Sequence, residues 1–278
     1  MPRVSIIIRA KDKADSIEVV LRMIYAQTFK DFEVIIVDSG STDSTLERAR
    51  KFPVRILEIP SEQFTYGYAL NVGCAQAQGA WLVALSAHCI PKSSCWLENL
   101  TLPISDPKVA GVTSDGIHGY LRWDLEAFLV NPHIGLSNAN SAYRADLWKE
   151  KPFNENMLGT EDKEWQYYFL KQGYCVINVS GAEVFRVDQM DLKHRYRKAY
   201  WESHGYTQFL PDAILFEMMV GFIKRFLSKP SRWELWRFMG SCRGLLNGRR
   251  DLKKRNNVPH VQFSFPPTNK RASTTSPN

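Results

Sequence analysis

Short, mostly apolar segments alternate with helix-like segments through the first third of the chain, and this alternation constrains the fold most strongly. The apolar segments span residues 4–8, 32–37, 54–59 and 81–85, and segments with helical spacing of apolar residues span 16–26, 46–51 and 68–78. Buried strands that are each followed by a helix are typical of a parallel sheet covered on both faces. We therefore expect an α/β fold with a Rossmann-like, mostly parallel sheet.

Polar residues directly follow three of the predicted strands. Arg9 follows the first strand, Asp38 ends the second, and the turn Ser86-Ala87-His88-Cys89 follows the strand "WLVAL". Ligands of open α/β sheets bind beyond the carboxyl ends of the strands. We expect these side chains to lie along one ligand-binding edge.

Basic residues are concentrated towards the end of the chain. Residues 220–278 hold 13 Lys and Arg against two acidic residues, whereas the remainder holds 23 basic and 27 acidic residues. Segments 213–227 and 231–246 mix Trp, Phe, Met and Leu with Lys and Arg, a pattern typical of helices in a membrane interface. Packing on the preceding domain and a homodimer contact remain alternatives, and no motif supports nucleic-acid binding. We predict one domain over 1–210, a basic amphipathic helical appendage over 211–255, and a disordered, proline-containing tail over 256–278.

The sequence also carries signals about compartment. No window holds the roughly 18–20 uncharged apolar residues that a membrane-spanning helix requires, and "MPRVSIII" leads straight into a strand, so we expect no signal peptide. Five cysteines without a CxxC pair indicate reduced thiols. We expect a cytoplasmic protein, peripheral at the inner face of the cytoplasmic membrane.

Two polar segments have structural and functional interpretations of similar weight. "DSGSTDST" contains Asp38 but is also a common capped turn, in which Ser41 or Asp43 caps the next helix. "GTEDKEW" puts Glu161 and Asp162 in a first helical turn, where acidic residues usually act as caps. The residues alone leave both interpretations open.

Four segments, in order, resemble the family-2 inverting glycosyltransferases, which have the GT-A fold. They are "VSIIIRAKDKADSIEVVLRMIYAQTFKDFEVIIVDSGSTDST", "ALNVGCAQAQGAWLVALSAHCIP", "NANSAYRADLW" and "TEDKEW", and the resemblance covers about residues 4–174. It implies an enzyme that moves a sugar, with inversion, from a nucleotide-sugar donor to a glycan acceptor in surface polysaccharide synthesis. The two segments typical of helices in a membrane interface, 213–227 and 231–246, favour a lipid-linked acceptor. The alternative is a non-catalytic, nucleotide-sugar-binding, membrane-associated subunit of a glycan assembly complex.

The resemblance also implies roles for individual residues. Asp162 matches the catalytic base that takes the acceptor hydroxyl proton, and Glu161 orients it or contacts the acceptor. Trp165 is either a platform for the acceptor sugar or a core residue. The implied donor-binding residues, of which the asparagine pair is expected on a loop entering a helix, are Arg9, Asp38, Asn71, Ser86, His88, Asn138, Asn140 and Arg186.

The "SAHC" turn departs from the family pattern. Most relatives have Asp-x-Asp there, whose carboxylates bind Mg²⁺ or Mn²⁺ across the diphosphate, whereas this chain has Ser86 and His88. His88 is the candidate metal ligand, suited to Mn²⁺ better than to Mg²⁺, or instead donates a hydrogen bond to phosphate. Arg186 aligns near a histidine that often completes the family's metal site, and it supplies a fixed charge for a diphosphate unless it pairs with Glu183 or Asp188. Both a metal-dependent and a metal-independent enzyme remain possible.

Overall fold

A central sheet organises the chain. The computed structural model describes residues 3–116, 119–187, 191–228 and 231–255. Its strands are β1 (Val4–Ala10), β2 (Phe32–Asp38), β3 (Arg55–Glu58), β4 (Trp81–Ser86), β5 (Cys89–Pro91), β6 (Val109–Thr113), β7 (Leu121–Trp123), β8 (Asn140–Arg144), β9 (Cys175–Asn178) and β10 (Val184–Arg186). Eight strands form one sheet in the order β3-β2-β1-β4-β8-β6-β9-β7, and β5 pairs with β10.

Helices cover both faces of this sheet. They are α1 (Ala14–Tyr25), α2 (Thr45–Ala49), α3 (Tyr66–Ala75), α4 (Trp96–Thr101), α5 (Leu125–Val130), α6 (Ala145–Glu150), α7 (Glu161–Leu170), α8 (Leu192–Tyr206), α9 (Asp212–Ser228) and α10 (Arg232–Arg255). Successive side chains of a strand point to opposite faces. Ile6 and Ile8 accordingly join one core cluster, while Ile7 joins the other. The predicted α/β fold with a mostly parallel sheet is confirmed.

The sheet is parallel in one half and mixed in the other, where β8 and β7 run against β6 and β9. Strands β3, β2, β1 and β4 run parallel, as the apolar segments predict. Strand β8 then runs antiparallel between β4 and β6. The prediction that Asn140 lies on a loop is wrong, because Asn140 begins β8. The segment "NSAYR" has no apolar alternation, so the sequence carried little sign of this central strand.

The C-terminal helices pack on the domain with one face. Helix α10 lies close against α8, since a Cβ at Gly240 would come 2.5 Å from the carbonyl oxygen of Tyr196 and one at Gly244 would come 2.3 Å from that of Tyr200. Leu215 of α9 joins a core cluster with Phe128 of α5. The appendage is therefore a packed layer, which is one alternative that the sequence left open. The boundary after residue 210 stays a prediction, and the predicted tail over 256–278 lies outside the described residues.

The cysteines and the helix lengths bear on two further predictions. All five cysteines are free thiols, as their spacing predicts. Across the described part of the chain, every helix is too short or too polar to cross a lipid bilayer.

Candidate active site

A cavity of about 370 Å³ lies at the carboxyl edge of β1 and β4. Its walls come from the first strand, the turn after β4, the loop before β8, the turn that opens α7, strand β10 and one side of α8. The residues that matter for its chemistry are Arg9, Tyr66, Ser86, His88, Asp115, Asn138, Glu161, Asp162, Lys163, Arg186, Lys198, Trp201 and Glu202. Of the residues predicted to share one ligand-binding edge, Arg9, Ser86 and His88 line this cavity and Asp38 does not.

Asn138 connects the two carboxylates of the α7 turn. Its backbone N–H donates to Asp162 Oδ2 at 3.0 Å, and its side-chain amide donates to Glu161 Oε1 at 2.8 Å. Its own side-chain oxygen accepts from the Tyr143 hydroxyl at 2.6 Å, and its backbone carbonyl accepts from Arg9 at 3.1 Å. One buried asparagine thus fixes the orientation of both acids, and its donor-binding role stays a prediction.

Glu161 and Asp162 occupy different environments although they are neighbours. Glu161 is buried, whereas Asp162 is partly exposed to the cavity. Burial and the charge of Asp162 raise the pKa of Glu161 to about 7, against the opposing influence of Arg9 and the Asn138 amide. The Arg9 guanidinium lies 3.8 Å from Glu161 Oε1. Glu161 is therefore a buried acid with a raised pKa, whereas Asp162 is an acid that the cavity can reach.

The turn that opens α7 has a strained backbone. Thr160, which precedes Glu161, has φ of +65°, a left-handed conformation that is costly for a β-branched residue. Helix α8 packs directly against this turn at Gly205, where an added Cβ would come 2.0 Å from Thr160 Oγ1 and 2.4 Å from the Gly159 carbonyl oxygen. The missing side chain at Gly205 permits the contact, so α8 supports the turn that carries both acids.

Arg9 has unused hydrogen-bonding capacity at the cavity wall. Its guanidinium lies 5.0 Å from the centre of the Tyr66 ring, a cation–π contact. Among the described residues, no hydrogen-bond acceptor reaches its buried Nε and Nη1 atoms. Buried donors are normally satisfied, so these atoms suit a ligand that carries oxygen acceptors.

The "SAHC" turn and Arg186 are held together by the small sheet. Arg186 pairs with Cys89 in the β5–β10 ladder, and the N–H of Val187 donates to the His88 carbonyl at 3.1 Å. The Arg186 side chain is exposed at the cavity. The suggested partner Glu183 instead accepts from the N–H of Gly181 at 2.9 Å, and Asp188 lies outside the described residues.

The residues of this turn do not fit a hard divalent cation. The turn supplies a hydroxyl and an imidazole but no carboxylate, the ligand type that Mg²⁺ prefers. Within residues 3–116, 119–187, 191–228 and 231–255, no three His, Cys, Asp or Glu side chains are grouped closely enough to hold a metal ion. His88 stays a predicted ligand for Mn²⁺.

Two predicted donor-binding asparagines make hydrogen bonds within the fold, and their donor-binding role stays a prediction. The Asn71 amide donates to the Phe153 carbonyl and to Glu155, and its oxygen accepts from Trp148 and from the N–H of Phe153. Asn140 is buried, and its side chain accepts from Trp96 and donates to the carbonyls of Ser114 and Ala182. Neither residue borders the cavity at the α7 turn. Each side-chain amide joins segments of the fold that are distant in sequence.

Two other residues make the contacts that a structural role requires. Asp38 does end β2, but its carboxylate accepts from the N–H groups of Gly40 and Ser41 and from the Ser41 hydroxyl, as in a capped turn. It lies outside the cavity lining, and its contact with a nucleotide base stays a prediction. Trp165 is fully buried and its indole donates to the Lys151 carbonyl, so it is a core residue and not a platform.

Several cavity residues escaped the sequence reasoning. The ammonium of Lys163, buried in the α7 turn, donates to the Ile134 carbonyl at 2.9 Å, and burial lowers its pKa to about 8. Burial also raises the pKa of Glu202, which faces the cavity from α8 together with Trp201 and Lys198. Lys163 stood within "TEDKEW", but helix α8 follows the recognised segments and offered no motif.

Comparison with known proteins gives consistent results. The sequence model described as "Glycosyl transferase family 2" matches residues 5–155. Glycosyltransferase AglE of Haloferax volcanii is 37% identical over 221 residues, which cover 71% of this chain and 72% of that protein. The O-antigen chain rhamnosyltransferase RfbN of Salmonella typhimurium is 26% identical over 189 residues, or 59% of this chain and 60% of that protein.

A solved structure shows the same fold. The mannosyltransferase PcManGT from Pyrobaculum calidifontis, in complex with GDP-Man and Mn²⁺, superposes with a TM-score of 0.63 at 19% identity, covering 92% of this chain and 80% of that one. At this identity the likeness concerns the α/β fold alone.

Proposed function

Because the chain belongs to glycosyl transferase family 2, we propose that it transfers a sugar with inversion from a nucleotide-sugar donor to a growing glycan. The observation that carries the proposal is a single cavity in which an accessible carboxylate, Asp162, faces the same space as Arg9, His88 and Arg186. Family membership makes the protein a glycosyltransferase of glycan biosynthesis. The inverting course, the donor class and the individual roles are the proposal.

Asp162 is the proposed base. In an inverting transfer, the acceptor oxygen attacks the anomeric carbon from the side opposite the nucleoside diphosphate, and the hydroxyl proton passes to the base. The partial exposure of Asp162 favours it over the buried Glu161, whose oxygen is engaged by the Asn138 amide. The N–H that Asn138 donates to Asp162 Oδ2 orients its carboxylate. Glu161 and Asn138 are positioning residues in this scheme.

The leaving group needs positive charge and hydrogen-bond donors. As the bond between the sugar and the diphosphate breaks, the electron pair stays on the diphosphate oxygen, and preorganised donors stabilise that charge. Arg9, whose Nε and Nη1 have no hydrogen-bond acceptor among the described residues, lines the cavity where this charge would develop, together with His88 and Arg186. Ser86 adds a hydroxyl at the same turn.

A metal ion is the alternative means of neutralising the diphosphate. PcManGT was solved with Mn²⁺ and GDP-Man. The "SAHC" turn supplies no carboxylate for such an ion, so we assign the charge-neutralising role to the basic side chains. No step of the proposed reaction passes through a metal.

Helix α8 is the proposed acceptor side. Trp201 and Lys198 line the cavity beside the α7 turn, whereas Trp165 is buried in the core. An aromatic face suits the apolar side of a pyranose ring. The ring centroids of Trp201 and Tyr66 lie 6.4 Å apart in an edge-on arrangement. A glycan acceptor held against α8 would approach Asp162.

The proposal is tested with the full chain and a panel of nucleotide sugars. Release of nucleoside diphosphate is followed for each donor, and the anomeric configuration of the product is read by NMR. We expect one donor class to be consumed, with inverted configuration in the product. A protein that consumes no donor and binds no nucleotide would refute the proposal, and retained configuration would refute the inverting mechanism.

A further inference from the structure

Helices α9 and α10 expose an apolar face that the proposed chemistry does not use. On α9 the exposed residues are Phe216, Ile223 and Leu227, with 57%, 41% and 70% of their surface accessible. On α10 they are Leu235, Met239 and Leu246, with 40%, 41% and 64% accessible. Residues separated by four, seven and eleven positions lie on one side of a helix. Each helix therefore presents one apolar stripe, and we call the six residues together the apolar face.

The two stripes are neighbours. The helices run antiparallel, because Arg225 pairs with Glu234 at one end, at 3.2 Å, and Asp212 pairs with Arg249 at the other. Between these ends the rings of Phe226 and Phe238 stack with centroids 5.4 Å apart. Phe238 marks the side of α10 that faces α9. Since successive helical residues are rotated by about 100°, Leu235, Met239 and Leu246 lie next to that side.

A row of arginines borders the apolar face. Arg232, Arg243 and Arg250 are exposed and, by the same helical rotation, lie on the side of the α10 stripe away from α9. Helix α10 carries eight basic and two acidic residues. Both acids already have partners, Glu234 with Arg225 and Asp251 with His204. The edge of the apolar face is consequently positive.

We propose that the apolar face docks on the surface of an anionic lipid bilayer. Exposed apolar side chains beside a row of arginines are the chemistry of a helix pair that lies in the headgroup region, with the guanidinium groups at lipid phosphates. A second copy of the chain fits this surface less well, because a two-fold contact repeats the same patch on both copies. Such a contact offers the arginine row no negative partner, because the exposed edge of α9 carries Lys224 and Glu217 together.

The opposite side of α10 connects this surface to the cavity. Gly240 and Gly244 bring α10 against α8, and α8 lines the cavity with Trp201 and supports the α7 turn through Gly205. A docked bilayer would lie one helix layer from the active site, close enough for a lipid-linked acceptor. The docking proposal itself does not depend on the proposed sugar transfer.

The test measures binding of the full chain to vesicles by co-sedimentation. Vesicles of phosphatidylcholine alone are compared with vesicles that also contain phosphatidylglycerol, at low and at raised ionic strength. We expect binding to the anionic vesicles, weakened by salt because the attraction is screened. The double variant R243Q/R250Q should bind roughly 25-fold less tightly, about fivefold for each lost charge.

The apolar contribution is tested by a second variant, L235S/M239S/L246S, which should lose most of its affinity for the anionic vesicles. Matched controls are V130S, an exposed apolar residue on α5, and K149Q, an exposed lysine on α6. Both should bind vesicles as the unchanged protein does. Unchanged binding of the two test variants would overturn the proposal. So would a dimer, seen by sedimentation velocity without lipid, that the triple variant dissociates.

Discussion

Replacing Glu161 with glutamine should stabilise the fold at alkaline pH, although the residue belongs to the candidate active site. The carboxyl is buried beside Asp162, and its pKa is raised from 4.5 to about 7. Between these two values the folded chain keeps a proton that the unfolded chain has released. Stability is therefore lost as pH rises through this window, and the loss is complete above the folded-state value.

The size of the effect follows from the pKa values. A shift from 4.5 to about 7 corresponds to about 3 kcal/mol at pH 8 and above, since one pKa unit is worth about 1.4 kcal/mol. At about pH 5 most of this penalty is absent, and about 1 kcal/mol remains. Glutamine resembles the protonated acid in shape and keeps an oxygen that accepts from the Asn138 amide. The variant E161Q should thus gain about 2 kcal/mol on the wild-type protein between these two pH values.

Urea unfolding at about pH 5 and pH 8 measures this difference directly. The control is E150Q, an exposed position at the end of α6, where a surface substitution changes stability by about 0.5 kcal/mol or less. A stability difference between E161Q and wild type that is the same at both pH values would refute the reasoning. It would mean that the buried carboxyl does not carry the destabilising charge.

Three further substitutions or conditions test other parts of the account. The variant G205A adds a Cβ that would meet Thr160 Oγ1 at 2.0 Å, so kcat should fall by about tenfold or more with a stability loss of about 1–3 kcal/mol; an unchanged kcat would show that α8 does not support the turn. The variant N71A leaves the buried partners of Asn71 unsatisfied and should lower the free energy of unfolding by about 2–4 kcal/mol, while nucleotide affinity stays unchanged; a selective loss of nucleotide binding would restore its predicted role. Transfer should survive EDTA and fall in the variant R186A, whereas activity that disappears with EDTA and returns with Mn²⁺ would assign His88 to a metal site.

The parallel half of the fold could be predicted from sequence because its strands are short and mostly apolar. Strands β1 and β2 begin at the predicted residues, and Arg9, Ser86 and His88 lie at the predicted edge. The antiparallel strand β8 was missed, since its side chains are mixed and its place in the sheet depends on pairing with two strands distant in sequence.

The sequence indicated only some residues of the candidate site, because the role of a polar side chain depends on which partners the fold brings to it. An asparagine has donors and an acceptor that serve a ligand or the protein equally well, and only the fold reveals that Asn71 and Asn140 are already engaged. The roles of Trp201 and Glu202 depend on α8 returning to the α7 turn. That contact is made through Gly205 and leaves no pattern in the sequence.

The central claim is that Asp162 is the base for sugar transfer, and the variant D162N tests it most directly. The substitution removes the proton acceptor but keeps the shape and an oxygen that can accept from the N–H of Asn138. Transfer rate and nucleotide affinity are measured together, with the donor that the wild-type protein consumes. The account predicts a rate lower by about 10²- to 10⁴-fold with nucleotide affinity within about twofold of wild type. A variant that transfers sugar at nearly the wild-type rate would contradict it.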